Sequence, residues 1–142
     1  DALPISDTAG KALTGDKNVF DFTVSATIQG TATINYAISA AKDESSTLPD
    51  EAVKLYLTSG EGTEELAPTK VSEIPKSQAS NTAGVPEGQM LLKSASTSTN
   101  VNDTYHLRMW IADDYAGDSD TGIAQGQTYK VRVNVYGKAA AQ

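Results

Sequence analysis

Two segments in the last third of the chain constrain its fold more than any others. Tyr105, Leu107, Met109 and Ile111 alternate with His106, Arg108 and Trp110, and Tyr129, Val131, Val133 and Val135 alternate with Lys130, Arg132 and Asn134. A period of two places apolar side chains on one face and mostly polar ones on the other, the pattern of a strand with one buried face. Two such strands in a chain with little helical periodicity predict sheets packed on the inside and solvated on the outside.

The remaining segments add strands. Val19 to Ala26 alternates with Phe20, Phe22 and Val24 inward, and Thr31 to Ser39 alternates through Ala32, Ile34, Tyr36 and Ile38. Gln29-Gly30 between them supplies a turn, so the two read as a hairpin-like pair. Glu51 to Thr58 forms a third strand with Val53, Leu55 and Leu57 inward, ended by the turn Ser59-Gly60-Glu61-Gly62. Pro68, Pro75 and Pro86 leave room only for short edge segments near Leu66 and Val71. Met90, Leu91 and Leu92 make a short apolar run, and strands over Thr104 to Ala112 and Thr128 to Tyr136 follow. The count is roughly seven or eight strands, suited to an all-β, two-sheet β-sandwich of Ig-like or jelly-roll-like form. Residues 1–17, with Pro4, Gly10 and Gly15, are expected to form an extended N-terminal arm or edge strand ahead of one sandwich domain over 18–142.

Composition narrows the function. A chain of 142 residues builds one hydrophobic core without cross-links. Its 18 acidic and 11 basic residues give a net charge of −7, which repels nucleic acid. Without cysteine there is no disulfide, thiol nucleophile or thiolate metal site. No apolar run approaches the roughly 20 residues that span a bilayer. Beginning at Asp1 rather than Met, the chain reads as a processed form or a fragment. Abundant Ser, Thr, Ala, Gly and Asn with 6% aromatics match exported proteins, so an extracellular or cell-surface location is expected.

Catalytic patterns are weak. The sole histidine, His106, falls on the outer face of a regular strand rather than at a loop rim where a nucleophile would meet it. One histidine cannot make the paired zinc ligands of a metalloprotease, and neither phosphate-binding glycine motif is present. A non-enzymatic protein without a cofactor is expected. The acidic cluster Asp113, Asp114, Asp118 and Asp120 is the one candidate for a metal, Ca²⁺, because Asp118-Ser119-Asp120-Thr121-Gly122 is similar to part of a calcium loop. It lacks the bidentate glutamate of an EF-hand, and a charged glycine-containing loop is the alternative. Strand phase also turns Trp110 outward beside His106 and Arg108. Either this trio is a binding or assembly surface, or a loop of the same chain covers the indole. Lys130 and Asn134 lie on the polar face of the last strand, so the burial that an intramolecular isopeptide bond requires is not expected there.

Four segments carry a family resemblance: Leu3-Pro4-Ile5-Ser6-Asp7 through Gly10, FDFTVSATIQGTATINYAIS at 20–39, YHLRMWIADD at 105–114 and QTYKVRVNVYG at 127–137. Together they resemble the secreted TasA and camelysin type proteins of Gram-positive bacteria. The resemblance implies an exported sandwich that is a subunit of extracellular fibres or biofilm matrix. It also implies head-to-tail self-assembly, in which the arm of one subunit adds a strand to its neighbour. Leu3, Pro4 and Ile5 are then the anchors of the arm, with Pro4 outside the ladder because it lacks an N–H. The alternatives are a monomeric adhesion or carbohydrate-binding module built around Trp110, and a phage or virion surface protein.

Overall fold

The computed structural model describes residues 3–115 and 127–140. Within them a short helix α1 (Asp7–Lys11) precedes seven strands: β1 (Val19–Ala26), β2 (Ile34–Lys42), β3 (Val53–Ser59), β4 (Thr63–Lys70), β5 (Met90–Thr97), β6 (Val101–Ile111) and β7 (Val131–Ala139). They form two antiparallel sheets, ordered β1-β6-β3-β4 and β5-β2-β7, packed as a β-sandwich.

The alternation seen in the sequence builds the core. Tyr36, Ile38 and Ala40 of β2 meet Val53, Leu55 and Leu57 of β3 and Tyr105, Leu107 and Ile111 of β6, with Met90 and Leu92 from β5. All lie below one-tenth exposure. Val131 and Val133 of β7 pack against this cluster from the side.

Segments outside the ladders cover both outer faces. Ala83 and Val85 lie on Ala37, with Leu91 and Tyr136 beside them, on the outside of the β2 sheet. Asn81 shapes that cover, its side-chain oxygen accepting from the backbone N–H of Ala83 and of Val85. On the other sheet, α1 lies over Trp110.

Three expectations are corrected. First, Val19–Ala26 and the strand after Gly30 are not a hairpin: β1 pairs with β6, while β2 pairs with β5 and β7. The connection crosses between sheets, which strand alternation alone cannot distinguish from a turn within one sheet. Second, 63–88 contains a full strand, β4, with Pro68 on the sheet edge where register shifts interrupt pairing with β3. Third, the N-terminal segment is not extended throughout. Ser6 caps a helical turn by accepting from Ala9 N–H at 3.2 Å, Asp7 sits in its first turn and Lys11 in its last.

The two lateral sides of the sandwich differ. On the β4/β5 side Lys93 Nζ donates to Glu65 Oε1 at 2.8 Å and to Tyr105 Oη at 3.1 Å. Burial disfavours the Lys93 charge, but these hydrogen bonds outweigh it and raise its pKa above the ordinary lysine value. Burial raises the Tyr105 hydroxyl, and it raises Tyr129 as well, where the Asp50 carboxylate adds to the effect. Each group therefore keeps its proton longer in the folded state than in the unfolded chain. The stability they confer is complete below about pH 10 and declines as pH rises through the folded values. Urea midpoints measured from pH 9 upward should fall, and Lys93→Met should make the decline shallower; an unchanged slope would remove the role assigned to Lys93.

Candidate functional site

The opposite side, between β1 and β7, is open among the described residues. β1 hydrogen-bonds only to β6 and β7 only to β2, so each leaves one backbone edge unpaired among the described residues. Two cavities line this opening. One, of about 550 Å³, lies between Val24 to Ala26 of β1 and Val135 to Ala139 of β7. The other, of about 660 Å³, lies between Val19 and Phe20 and Val131 to Val133, floored by Leu107 and Met109. Together they trace a cleft along both edge strands.

The inward phase of these strands explains the apolar residues found outside the core. Phe20 and Val135 carry the inward parity of β1 and β7, yet they are 55% and 45% exposed. Their faces point into the opening, where no strand of the same chain covers them among the described residues. Phe20 stacks on Phe22 at 5.5 Å between centroids, and Phe22 stacks on Tyr105 at 5.5 Å, so an aromatic row leads from the cleft mouth into the core.

The cleft is suited to one added strand. Sheets in a sandwich lie roughly 10 Å apart, about twice the spacing of paired strands. Cavity lining shows that β1 and β7 run in the same sense along the opening, so one incoming strand has the same polarity toward both edges. A strand matching the eight residues of β1 is roughly 26 Å long. Lys17, Lys130, Arg132 and Lys138 line the cleft against Asp16 and Asp43, a local excess of positive charge in a chain of net charge −7.

The residues expected from sequence divide between two places. In the arm, Leu3 is 60% exposed, Pro4 is half-buried, and Ile5 bridges to Ala112 with its N–H donating to Ile111 O at 3.1 Å. Residues 5 to 13 are therefore seated on their own domain. His106, Arg108 and Trp110 share the outer face of β6 but do not form an open platform. Trp110 is 5% exposed, with Gly10 of α1 against its ring and Tyr56 at 6.1 Å between centroids. Arg108 Nε donates to Leu13 O at 2.8 Å. Of the two readings of Trp110, an open surface or cover by the same chain, the second holds: the chain's own helix lies over the indole.

His106 Nδ1 lies 2.6 Å from Asp21 Oδ1, directly across the β1–β6 pair, and Nε2 lies 3.1 Å from Gly60 O. A carboxylate on one ring nitrogen is half of a catalytic triad, but the other nitrogen meets a backbone carbonyl, not a hydroxyl nucleophile. The arrangement ties β1 and the β3–β4 turn to β6.

The acidic cluster does not gather in the part described. Asp113 is exposed, and Asp114 pairs with Lys70 Nζ at 2.8 Å. The hydrogen bond from Lys70 holds the Asp114 carboxyl below its ordinary value. Asp118 and Asp120 lie outside the described residues. Among the described residues no group of three or more His, Asp or Glu side chains is placed to hold a metal ion, and no helix is long and apolar enough to cross a membrane. Lys130 is exposed and Asn134 is half-buried on β7. Compared with family models, with curated proteins and with solved structures, the chain matches none.

Proposed function

We propose that this protein is a non-enzymatic, extracellular structural subunit that assembles head to tail into surface filaments or biofilm fibres, a neighbour's N-terminal arm adding a strand in the β1/β7 cleft. The observation carrying this reading is the open side of the sandwich, two unpaired strand edges flanking apolar cavities into which Phe20 and Val135 project. Unpaired edges bind extended chains through backbone hydrogen bonds, and the apolar cavities between them take alternate side chains. Leu3 and Ile5, two residues apart, supply such side chains on one face of an extended arm. The resemblance to the TasA and camelysin type supports the same reading and the location outside the cell.

Negative-stain microscopy of the full chain beside a variant lacking residues 1–10 tests it. Filaments from the full chain and none from the truncated one are expected, with a folded spectrum for both. Filaments from both would exclude the arm as the connecting strand. Because cations surround the cleft of an acidic protein, the concentration needed for assembly should rise between low salt and about 0.5 M salt, where screening shortens to a few ångström. Salt-independent assembly would deny the cleft rim a role.

A further inference from the structure

The segment that the cleft requires is already engaged elsewhere on its own subunit. α1 has only five residues, too few to hold a helix by themselves. Its seat consists of the indole of Trp110 under Gly10, Lys54 Nζ at 2.9 and 3.0 Å from the two carboxylate oxygens of Asp7, and the bond from Arg108 to Leu13 O. These contacts lie between Ile5 and Leu13 on one side and the outer face of the β1-β6-β3-β4 sheet on the other. The chain then turns at Gly15, with φ +91°, before entering β1.

Two details characterise this seat, one of close fit and one of cost. A β-carbon on Gly10 would stand 2.3 Å from the Trp110 ring, so glycine is present for close approach, not for helix formation. The Trp110 Nε1 proton is buried and finds no acceptor among the described residues, a cost that release of the helix to solvent relieves. Nothing in β1 to β7 depends on residues 5 to 13 for strand pairing, apart from the single bridge at Ile5.

The geometry points to an exchangeable cover: the Trp110–Tyr56 face holds residues 5–13 of its own chain, and this seat competes with the β1/β7 cleft of a second copy for the same arm. Assembly, the reading on which this inference rests, then proceeds only from subunits whose helix has left the indole. The monomer is held back by its own arm, and the helical turn converts to strand on transfer.

Gly10→Ala separates this from ordinary helix energetics. Alanine is the better helix former, so a simple helix would gain stability, whereas the contact with the indole predicts ejection. The variant should red-shift the emission of Trp110, the single tryptophan, and raise its quenching by acrylamide. It should also shorten the lag before filaments appear by roughly tenfold, as overpacking commonly costs enough to shift such an equilibrium that far. Asp7→Asn, which leaves the indole contact and the body of the sandwich untouched, should change both readouts in the same direction by a smaller factor. An unshifted emission in Gly10→Ala would overturn the cover, and shifted emission with an unchanged lag would overturn the competition. Red-shifted emission with no filaments from any variant or from the parent chain would remove strand addition and the competition with it, leaving the covered indole established.

Discussion

Replacing Phe20 and Val135 together by lysine is expected to abolish assembly and leave the sandwich folded. Both side chains are about half exposed already, so the folded monomer loses little by the change. The largest monomer cost is the Phe20–Phe22 stack, about 0.5–1.5 kcal/mol. In the assembled state the same positions would be covered by the added strand. Full burial of an exposed side chain of this kind is worth about 1.5–3 kcal/mol, of which about half remains to be gained at each of these half-exposed positions, and two lysines would also have to lose water beside Lys17, Lys130, Arg132 and Lys138. The lost burial and the added desolvation together weaken subunit association on the order of a hundredfold. Sedimentation and microscopy at matched concentration check this, with circular dichroism and a urea midpoint as controls. Filaments with unchanged critical concentration would place the interface elsewhere.

Leu55→Ala is expected to have the opposite profile, a large loss of stability with no direct effect on the cleft. Leu55 is fully buried at the centre of β3, a strand paired on both sides by β4 and β6. Truncating it removes burial and leaves a cavity between two sheets that cannot close together without moving both ladders. Such changes cost about 2–5 kcal/mol, a large part of the total stability of an ordinary domain. A urea midpoint lower by on the order of 1–2 M is the expected reading. A shift of only a few tenths would mean that the core around β3 is looser than its packing implies.

The parts of the fold legible in the sequence are those set by period-two alternation. Tyr105, Leu107 and Ile111 are buried and His106 and Arg108 lie on the other face, as their phase requires. Sheet membership is not legible, because β1 and β2 show the same alternation whether they pair with each other or cross between layers. The two inward residues left exposed, Phe20 and Val135, carry no distinguishing signal either. Their exposure follows from which strands fall at the sheet edges, a property of topology. Trp110 illustrates the converse. Its outward phase is readable, but the partner that buries it is a glycine a hundred residues earlier, on a helical turn whose Ser6 cap and Asp7 are local signals easily outweighed by Pro4, Gly10 and Gly15. The Asp21–His106 and Glu65–Lys93 pairs are hidden for the same reason, since each joins strands whose register only the folded chain defines.

The absence of cysteine from the chain makes one direct measurement possible. Protein carrying Leu3→Cys is mixed under oxidising conditions with protein carrying Val135→Cys or Val131→Cys, and the products are separated without reductant. Strand addition predicts a disulfide-linked heterodimer with at least one of the two cleft variants, forming in step with filaments, because only an arm lying in the cleft brings the sulfurs within bonding distance. Filaments that assemble while neither pair cross-links would contradict the central claim that one subunit's arm fills the β1/β7 cleft of the next.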